Sequence, residues 1–166
     1  MTRIRRYEDT DWQALWPILK QIFREGMTYA VADQIEEADA KRLWIELPAG
    51  TFVILDEDDQ LSGSYYIKPN QAGRGAHVCN CGYVVSKRSR GNGYASLMCE
   101  HSQKMAREMQ FRSMQFNLVV STNVGAVDLW KKHDFKIVGT IPNAFEHPDK
   151  GLVDAFVMYK DLKLCP

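Results

Sequence analysis

The sequence predicts a single α/β domain with a mixed central sheet of about six to seven strands, flanked by about four helices. Short β-rich runs alternate with stretches of helical periodicity, in the order strand, two helices, three strands, helix, strand, helix, two strands. The length of 166 residues suits one domain better than two. We therefore expect one domain over residues 1–166, with its core at about 3–162.

The first half of the chain is expected to place two helices before a hairpin. Residues 4–7 form a short strand, and a helix begins at Asp11 after an N-cap at Thr10. Pro17 lies inside the apolar pattern of this helix, where a kink is expected, and Gly26 ends the helix. A second helix covers 36–46, and the strands 51–56 and 61–68 form the hairpin.

The second half alternates strands and helices. The predicted elements are a strand at 77–86, a helix at 94–109, a strand at 113–121, a helix at 124–133, and strands at 136–141 and 153–160. A polar loop containing Pro142, Asn143, His147 and Pro148 separates the last two strands.

Charge and cysteine content exclude several functional classes. Acidic and basic residues are equal at 21 each, which argues against nucleic acid as a partner and gives no reason to expect a membrane surface. The N-terminus has no apolar segment typical of a signal peptide, so we expect a cytoplasmic protein. The spacing of Cys79, Cys81, Cys99 and Cys165 does not suit zinc, so we expect buried, reduced thiols and no metal.

A basic, glycine-containing turn, Arg88-Ser89-Arg90-Gly91-Asn92-Gly93, lies between a predicted strand and a predicted helix. The first N–H groups of a helix have no intrahelical partners and lie at the positive end of its dipole. Glycines allow an anion to approach the backbone closely. The turn therefore suits a pyrophosphate, although a solvated basic turn that starts a helix is an equal alternative on these residues alone.

Two motifs resemble the GCN5-related N-acetyltransferases. The family pattern Gln/Arg-x-x-Gly-x-Gly/Ala is met by Arg88, Gly91 and Gly93. A second family block, Asn-x-x-Ala-x-x-Leu-Tyr-x-x-x-Gly-Phe, is met at its spacing by Asn123, Ala126, Leu129, Trp130, Asp134 and Phe135. Asp134 replaces the glycine of this block at a position where a left-handed conformation is common, and aspartate tolerates that conformation.

The resemblance implies acetyl-CoA as co-substrate and assigns residues to it. The amides of the glycine turn would bind the pyrophosphate, and the end of the preceding strand would pair its backbone with the pantetheine arm. Asn123 would reach the cofactor from the start of a short helix, or serve as its N-cap, or both. The residues expected at the cofactor are Val84, Val85, Arg88, Arg90, Gly91, Asn92, Gly93, Tyr94, Ala95, Asn123 and Trp130.

The sequence departs from the family at both usual acid–base positions. Trp130 stands where many members have a tyrosine that protonates the leaving thiolate, and an indole cannot do so. Asn80 stands where many members have a glutamate. Three alternatives remain open: catalysis mainly by positioning, a substitute acid or base, or a protein that binds acyl-CoA without turnover. The candidate substitutes are Tyr83, His77, His133, Cys79 and Glu46.

Asn117 is a polar residue at a strand position that is usually apolar in the family and faces the cleft. We expect a buried amide that binds the acceptor or the oxyanion, or one satisfied by neighbouring backbone. With Trp130, it resembles a subgroup that includes fungal enzymes acetylating proline analogues such as azetidine-2-carboxylate. We place Asn117, Asn80 and Tyr83 nearest the chemistry.

The loop between the first two helices commonly covers the acceptor in this family, which assigns Thr28 and Tyr29, together with Asn117, to substrate binding. Asn143 and Phe145 are expected to close the other side of the pocket. The neutral charge balance favours a small, amino-acid-like amine as acceptor, with a protein or peptide amine as the alternative. A homodimer is left open, because dimers are common among similar proteins.

Overall fold

The computed structural model describes residues 1–163, which form a seven-stranded sheet in the order β1-β2-β3-β4-β5-β7-β6. The strands are β1 Arg3–Arg6, β2 Gly50–Leu55, β3 Leu61–Pro69, β4 Val78–Val85, β5 Ser113–Val120, β6 Lys136–His147 and β7 Gly151–Asp161. Neighbouring strands are antiparallel except for β4 and β5, which are parallel. The predicted class, a single α/β domain with a mixed sheet, is confirmed.

The described residues also form four helices, in agreement with the sequence. They are α1 Trp12–Glu25, α2 Glu37–Lys41, α3 Tyr94–Glu108 and α4 Val124–Lys132, and a π-helical turn over Arg42–Glu46 continues α2. Within the described residues, no helix is both long and apolar enough to cross a membrane.

The sequence predicted the C-terminal end of α1 correctly but not its N-terminal end. The N-cap expected at Thr10 is wrong, because Asp9–Asp11 forms a short 3-10 turn and α1 begins only at Trp12. The Asp11 carboxylate accepts a hydrogen bond from the Glu8 N–H at 2.8 Å, which holds this turn in place. Gly26 ends the helix in a left-handed conformation with φ of 62°, as expected.

Two apolar cores lie on opposite faces of the sheet. One core is built around α3 and α4, and the other around α1 and α2. Cys79 and Cys81 on β4 face the α3 core, and Val84 of the same strand faces the α1 core. Cys79, Cys81 and Cys99 are free and buried, as expected, whereas Cys165 lies outside the described residues. β4 therefore runs through the middle of the molecule with both faces covered.

The polar loop predicted between the last two strands is wrong. β6 continues to His147 and β7 begins at Gly151, so a short turn replaces the long loop. Ile141 pairs with Ala155 and Phe145 with Val153, so four steps along β6 match two along β7. Pro142 has no N–H and Asn143 adopts a φ of 52°, and a bulge on an edge strand accommodates both without ending the strand.

Candidate active site

A cleft opens where the parallel strands β4 and β5 separate. Their register consists of Val78 opposite Ser113 and Cys79 opposite Met114, and the pairing stops there. At this point the Asn80 side-chain Nδ2 donates to the Gln115 carbonyl at 2.9 Å. Beyond it lies a cleft of about 620 Å³. Its lining includes Glu25, Met27–Ala30, Tyr66, Asn80–Val85, Arg90, Phe116–Val120, Thr122, Asn123, Ala126, Trp130, His147 and Lys150.

Asn80 has a structural role at the closed end of this cleft. It is buried, and its Nδ2 donates to the first residue of β5 beyond the stretch that pairs with β4. Its Oδ1 lies 3.5 Å from the Tyr66 hydroxyl, which donates to it. An amide cannot accept a proton as a base. The side chain therefore fixes the place where the strands separate.

A bulge in β5 turns Asn117 towards solvent. Phe116 pairs with Met158 and Val119 with Phe156, so β5 contains one residue more than β7 over this stretch. The expectation that Asn117 is a buried amide is therefore wrong, because the bulge breaks the alternation that would have buried it. Asn117 still lines the cleft, and its Nδ2 donates to Asn70 Oδ1 at 2.6 Å. Gln115 Nε2 donates to its Oδ1 at 3.0 Å.

The loop after α1 is anchored to the open edge of β4 by Tyr29. The Tyr29 hydroxyl accepts a hydrogen bond from the Tyr83 N–H and donates one to the Tyr83 carbonyl, both at 2.7 Å. Burial raises the pKa of Tyr29 well above its ordinary value, so the phenol keeps its proton. Thr28 lies beside it in the lining of the cleft, as predicted for this loop.

The predicted glycine turn lies at the start of α3. Gly91 and Gly93 have φ of 82° and 77°, and α3 begins at Tyr94. An added Cβ at either glycine would meet no atom within 4 Å, so the space above the backbone is open. Leu97 is the first helical residue whose N–H reaches a carbonyl of the turn, that of Gly93. The N–H groups before it have no intrahelical partners, as at any helix start.

The two arginines of the turn point in different directions. Arg90 lines the cleft and pairs with Glu25 at 3.5 Å. Arg88 instead donates to the Leu61 carbonyl at 3.4 Å, beside the β2–β3 hairpin, and is absent from the lining. The pattern Arg-x-x-Gly-x-Ala is also met by Arg90, Gly93 and Ala95, two residues later. The sequence alone does not show which of the two alignments with the family pattern is right, because each begins with an arginine.

Asn123 and Trp130 bring α4 to the cleft. Asn123 caps α4, since its Oδ1 accepts the Ala126 N–H at 3.3 Å, and it also lines the cleft. Trp130 is buried, with its ring 4.9 Å from that of Tyr83 and 4.8 Å from that of Phe116. Asp134, just after this helix, has the expected left-handed conformation with φ of 65°.

None of the five candidate substitutes presents a titratable group in the cleft. The Tyr83 hydroxyl bonds to Ser102 Oγ on α3 at 2.7 Å, and burial raises the pKa of its phenol. His133 Nε2 bonds to Ser96 Oγ at 2.7 Å. Cys79 is buried in the α3 core, and His77 and Glu46 are exposed away from the cleft. Within residues 1–163, no group of three or more His, Cys, Asp or Glu is arranged to hold a metal ion.

Several residues that line the cleft were not among the predicted site residues. Tyr66 on β3, His147 at the end of β6 and Lys150 in the following turn all contribute to its wall. Asn143 and Phe145, which were expected to close the pocket, are not in its lining. The extension of β6 explains the difference, because it carries His147 rather than the expected loop residues to the cleft.

These features define an α/β protein with a cleft between two diverging parallel strands, and the cleft lining includes Arg90 of the glycine turn. The model of the acetyltransferase (GNAT) family matches residues 12–135. That match covers most of the chain, and the chain belongs to this family.

Individual relatives agree with the family assignment. The structure of a GCN5-related N-acetyltransferase from Kribbella flavida is 36% identical, with a TM-score of 0.92 over 96% of this chain and 97% of that one. N-acetyltransferase aca1 from Schizosaccharomyces pombe is 36% identical over 104 residues, 62% of this chain and 50% of that protein. The chain thus spans about half the length of this curated relative.

More distant structures share the fold alone. A GNAT superfamily phosphinothricin acetyltransferase from Sinorhizobium meliloti, solved in complex with acetyl-CoA, is 15% identical. It superposes with a TM-score of 0.85 over 96% of this chain and 88% of that one.

Proposed function

We propose that this chain transfers an acetyl group from acetyl-CoA to the amine of a small, amino-acid-like molecule by direct attack in a ternary complex. The observation that carries the proposal is the cleft between β4 and β5, whose lining includes Arg90 of the glycine turn that precedes α3. Membership of the GNAT family and the similarity to two proteins named N-acetyltransferases support acetyl-CoA as the donor.

The cofactor end of the cleft has the chemistry that a pyrophosphate requires. Gly91 and Gly93 hold left-handed conformations that expose backbone N–H groups, and the open space above them lets an anion approach. Arg90 adds a positive charge, and the helix dipole of α3 favours an anion at the same place. We propose that Gly91 to Ala95 bind the pyrophosphate with Arg90, and that Arg88 contributes only long-range charge.

The separated edge of β4 is suited to the pantetheine arm. Val84 and Val85 line the cleft beyond the last residue that pairs with β5, so this edge lacks a strand partner there. An arm rich in amides can pair with such an edge as a short added strand. Trp130 supplies apolar surface and Asn123 a carboxamide on the opposite wall.

In this proposal, catalysis comes mainly from holding the amine and the thioester in position. The amine nitrogen attacks the thioester carbonyl carbon, the C–S bond breaks, and the proton lost by the amine balances the one gained by the CoA thiolate. Glu25 is the sole carboxylate among the described residues that line the cleft, and it pairs with Arg90. Orientation of two bound reactants can supply about 7–11 kcal/mol of the barrier.

The cleft has the size of a small-molecule pocket. A volume of about 620 Å³ falls within the roughly 300–1,000 Å³ of small-molecule pockets. Loop residues Met27–Ala30 and the turn residues His147 and Lys150 all contribute to its wall. The acceptor therefore shares one compact space with the end of the pantetheine arm.

Calorimetry with acetyl-CoA and CoA tests the donor, and thiol release across an acceptor panel tests the reaction. The panel contains amino acids, proline analogues, aminoglycosides and peptides. We expect heat at micromolar acetyl-CoA and thiol release with small amines. Release with peptides alone would contradict the proposed acceptor, and heat without any release would indicate a binding module. The absence of heat at high micromolar acetyl-CoA would overturn the proposal.

A further inference from the structure

The turn between β6 and β7 carries two polar side chains to the wall of the cleft. His147 is the last residue of β6, is 4% exposed and lines the cleft. Lys150 lies three residues later and lines the cleft as well. The catalytic alternatives considered above involve neither residue.

The geometry of this turn is fixed by its sequence. His147 pairs with Gly151, which leaves a connection of Pro148, Asp149 and Lys150 between the strands. Gly151 adopts a φ of 70°, the left-handed conformation that closes hairpin loops of this length. His147 is therefore held by a strand on one side and by a tight turn on the other.

A backbone hydrogen bond selects the tautomer of His147. The Asp149 N–H donates to His147 Nδ1 at 3.1 Å. A ring nitrogen that accepts a hydrogen bond does not carry the proton, so the neutral imidazole carries it on Nε2. His147 thus offers the cleft an N–H donor rather than the free lone pair that a general base would need.

The charged side chains of the cleft lining fall into two sets. Glu25 and Arg90 pair with each other at 3.5 Å. The other ionisable groups with a basic side chain in the lining are His147 and Lys150. The salt bridges among residues 1–163 give Lys150 no carboxylate partner. This part of the wall therefore has a positive charge and an N–H donor without a matching acid.

We propose that His147 Nε2 and Lys150 Nζ bind a carboxylate of the acceptor, which makes the acceptor an amino or imino acid rather than a simple amine. The inference rests on the proposed function and names the substrate class of that site. An ammonium and an imidazole N–H form charge-assisted hydrogen bonds with a carboxylate, each stronger than a bond between neutral groups. His147 and Lys150 would then decide specificity and leave the reacting nitrogen to the rest of the cleft.

The test compares each acid of the acceptor panel with its carboxamide, starting with azetidine-2-carboxylate and azetidine-2-carboxamide. The amine of the carboxamide is less basic and more often neutral, so amine reactivity alone would favour the carboxamide. We expect kcat/KM to favour the acid by at least about tenfold, the effect of one charged hydrogen bond. Equal use of both forms, or a preference for the carboxamide, would overturn the proposal.

Variants of His147 and Lys150 test whether these two residues cause the preference for the acid over the carboxamide. We expect Lys150→Met and His147→Phe to lower kcat/KM for the acid by about 10–100-fold, to leave the carboxamide nearly unchanged, and to leave acetyl-CoA affinity unchanged. Lys150→Arg keeps the charge and should keep the preference, and Lys131→Met on the exposed face of α4 is the matched control. His147→Gln retains an N–H donor if the phenylalanine variant fails to fold.

Three outcomes separate this inference from the proposed function. Loss of acid and carboxamide turnover to the same extent in both variants would contradict a carboxylate site while leaving an acetyltransferase. Turnover with peptide amines alone would contradict both this inference and the small acceptor of the proposed function, while leaving an acetyltransferase. Absence of acetyl-CoA binding in the native protein would overturn the proposed function and this inference with it.

Discussion

The Tyr29 hydroxyl group satisfies both backbone polar groups of Tyr83, accepting from its N–H and donating to its carbonyl at 2.7 Å each. These groups lie on the edge of β4 that would pair with β5 if the strands stayed together. One phenol therefore replaces a strand partner and ties the loop after α1 to the cleft. This loop contributes Met27–Ala30 to the wall.

Replacing Tyr29 by phenylalanine should weaken the fold and the acceptor site together. The variant leaves an N–H and a carbonyl without their partner in a partly buried place, which costs about 1–3 kcal/mol. We expect urea unfolding to show a loss of that size and acceptor KM to rise.

Tyr159→Phe is the matched control for this substitution. Tyr159 lies on β7, and the hydrogen bonds among residues 1–163 give its hydroxyl no protein partner. Its removal should change stability by less than about 0.5 kcal/mol. Equal losses in the two variants would contradict a specific role for the Tyr29 bridge.

A bulky residue at Gly91 should abolish acetyl-CoA binding. Gly91→Trp fills the open space above the turn and imposes a side chain on a φ of 82°. We expect calorimetry to detect no heat with acetyl-CoA at concentrations that saturate the native protein.

Gly73→Trp separates loss of the site from backbone strain. Gly73 also has a positive φ, 57°, and open space around it, and it lies in a loop away from the cleft lining. We expect this variant to bind acetyl-CoA as the native protein does. Retained binding in Gly91→Trp would contradict the assignment of the turn to the pyrophosphate.

The sequence predicted the conformation of the glycine turn better than the positions of the residues proposed for the acceptor. Glycines at a strand-to-helix junction have a local physical meaning, so Gly91 and Gly93 could be placed from residue type alone. The direction in which a side chain points depends on the fold and not on its sequence neighbours alone. Arg88 and Arg90 are two residues apart in the same turn, and only the fold shows that Arg90 faces the cleft.

The residues proposed for the acceptor lie on irregular strands that periodicity cannot predict. The bulge after Phe116 turns Asn117 outward, and the bulge at Pro142 lets β6 continue to His147. The single extra residue in β5 reverses the alternation after Phe116, whereas Pro142 and Asn143 are turn residues that ended the predicted strand at Ile141. The sequence therefore missed His147 and gave Asn117 the wrong burial.

Removing the Asn117 amide should impair turnover more than cofactor affinity. Asn117 lines the cleft from the β5 bulge, so Asn117→Ala takes a polar group from the acceptor's surroundings. We expect kcat/KM for the acceptor to fall about tenfold, as for the loss of one hydrogen bond. Calorimetric affinity for acetyl-CoA should stay within about twofold of the native value.

Asn70→Ala shows whether this effect comes from contact or from positioning. Asn70 accepts from Asn117 at 2.6 Å and does not line the cleft. If Asn117 acts directly, Asn70→Ala should reduce kcat/KM less than Asn117→Ala does. Equal reductions in acetyl-CoA affinity and turnover in Asn117→Ala would contradict an acceptor-side role.

The ion pair between Arg5 and Asp11 should make stability depend on acid pH. Arg5 donates two hydrogen bonds to the Asp11 carboxylate, at 2.7 and 2.8 Å, and anchors the turn before α1 to β1. Burial would raise the pKa of Asp11, but the bonds from Arg5 and from the Glu8 N–H outweigh it and lower the pKa below its ordinary value. Asp11→Asn should therefore lose about 1–3 kcal/mol near neutral pH.

The lowered pKa of Asp11 determines how the stability contributed by this ion pair changes with pH. A carboxyl with a lower pKa in the folded state contributes its full stability above the unfolded-state pKa of about 3.9, and loses it as the pH falls through the folded-state value. Urea unfolding of the native protein and Asp11→Asn should therefore converge in acid. Asp59→Asn is the control, because its pair with Arg3 at 3.1 Å is exposed and should contribute less than about 1 kcal/mol at any pH. A difference between native protein and Asp11→Asn that persists unchanged below pH of about 2 would contradict an ionic origin.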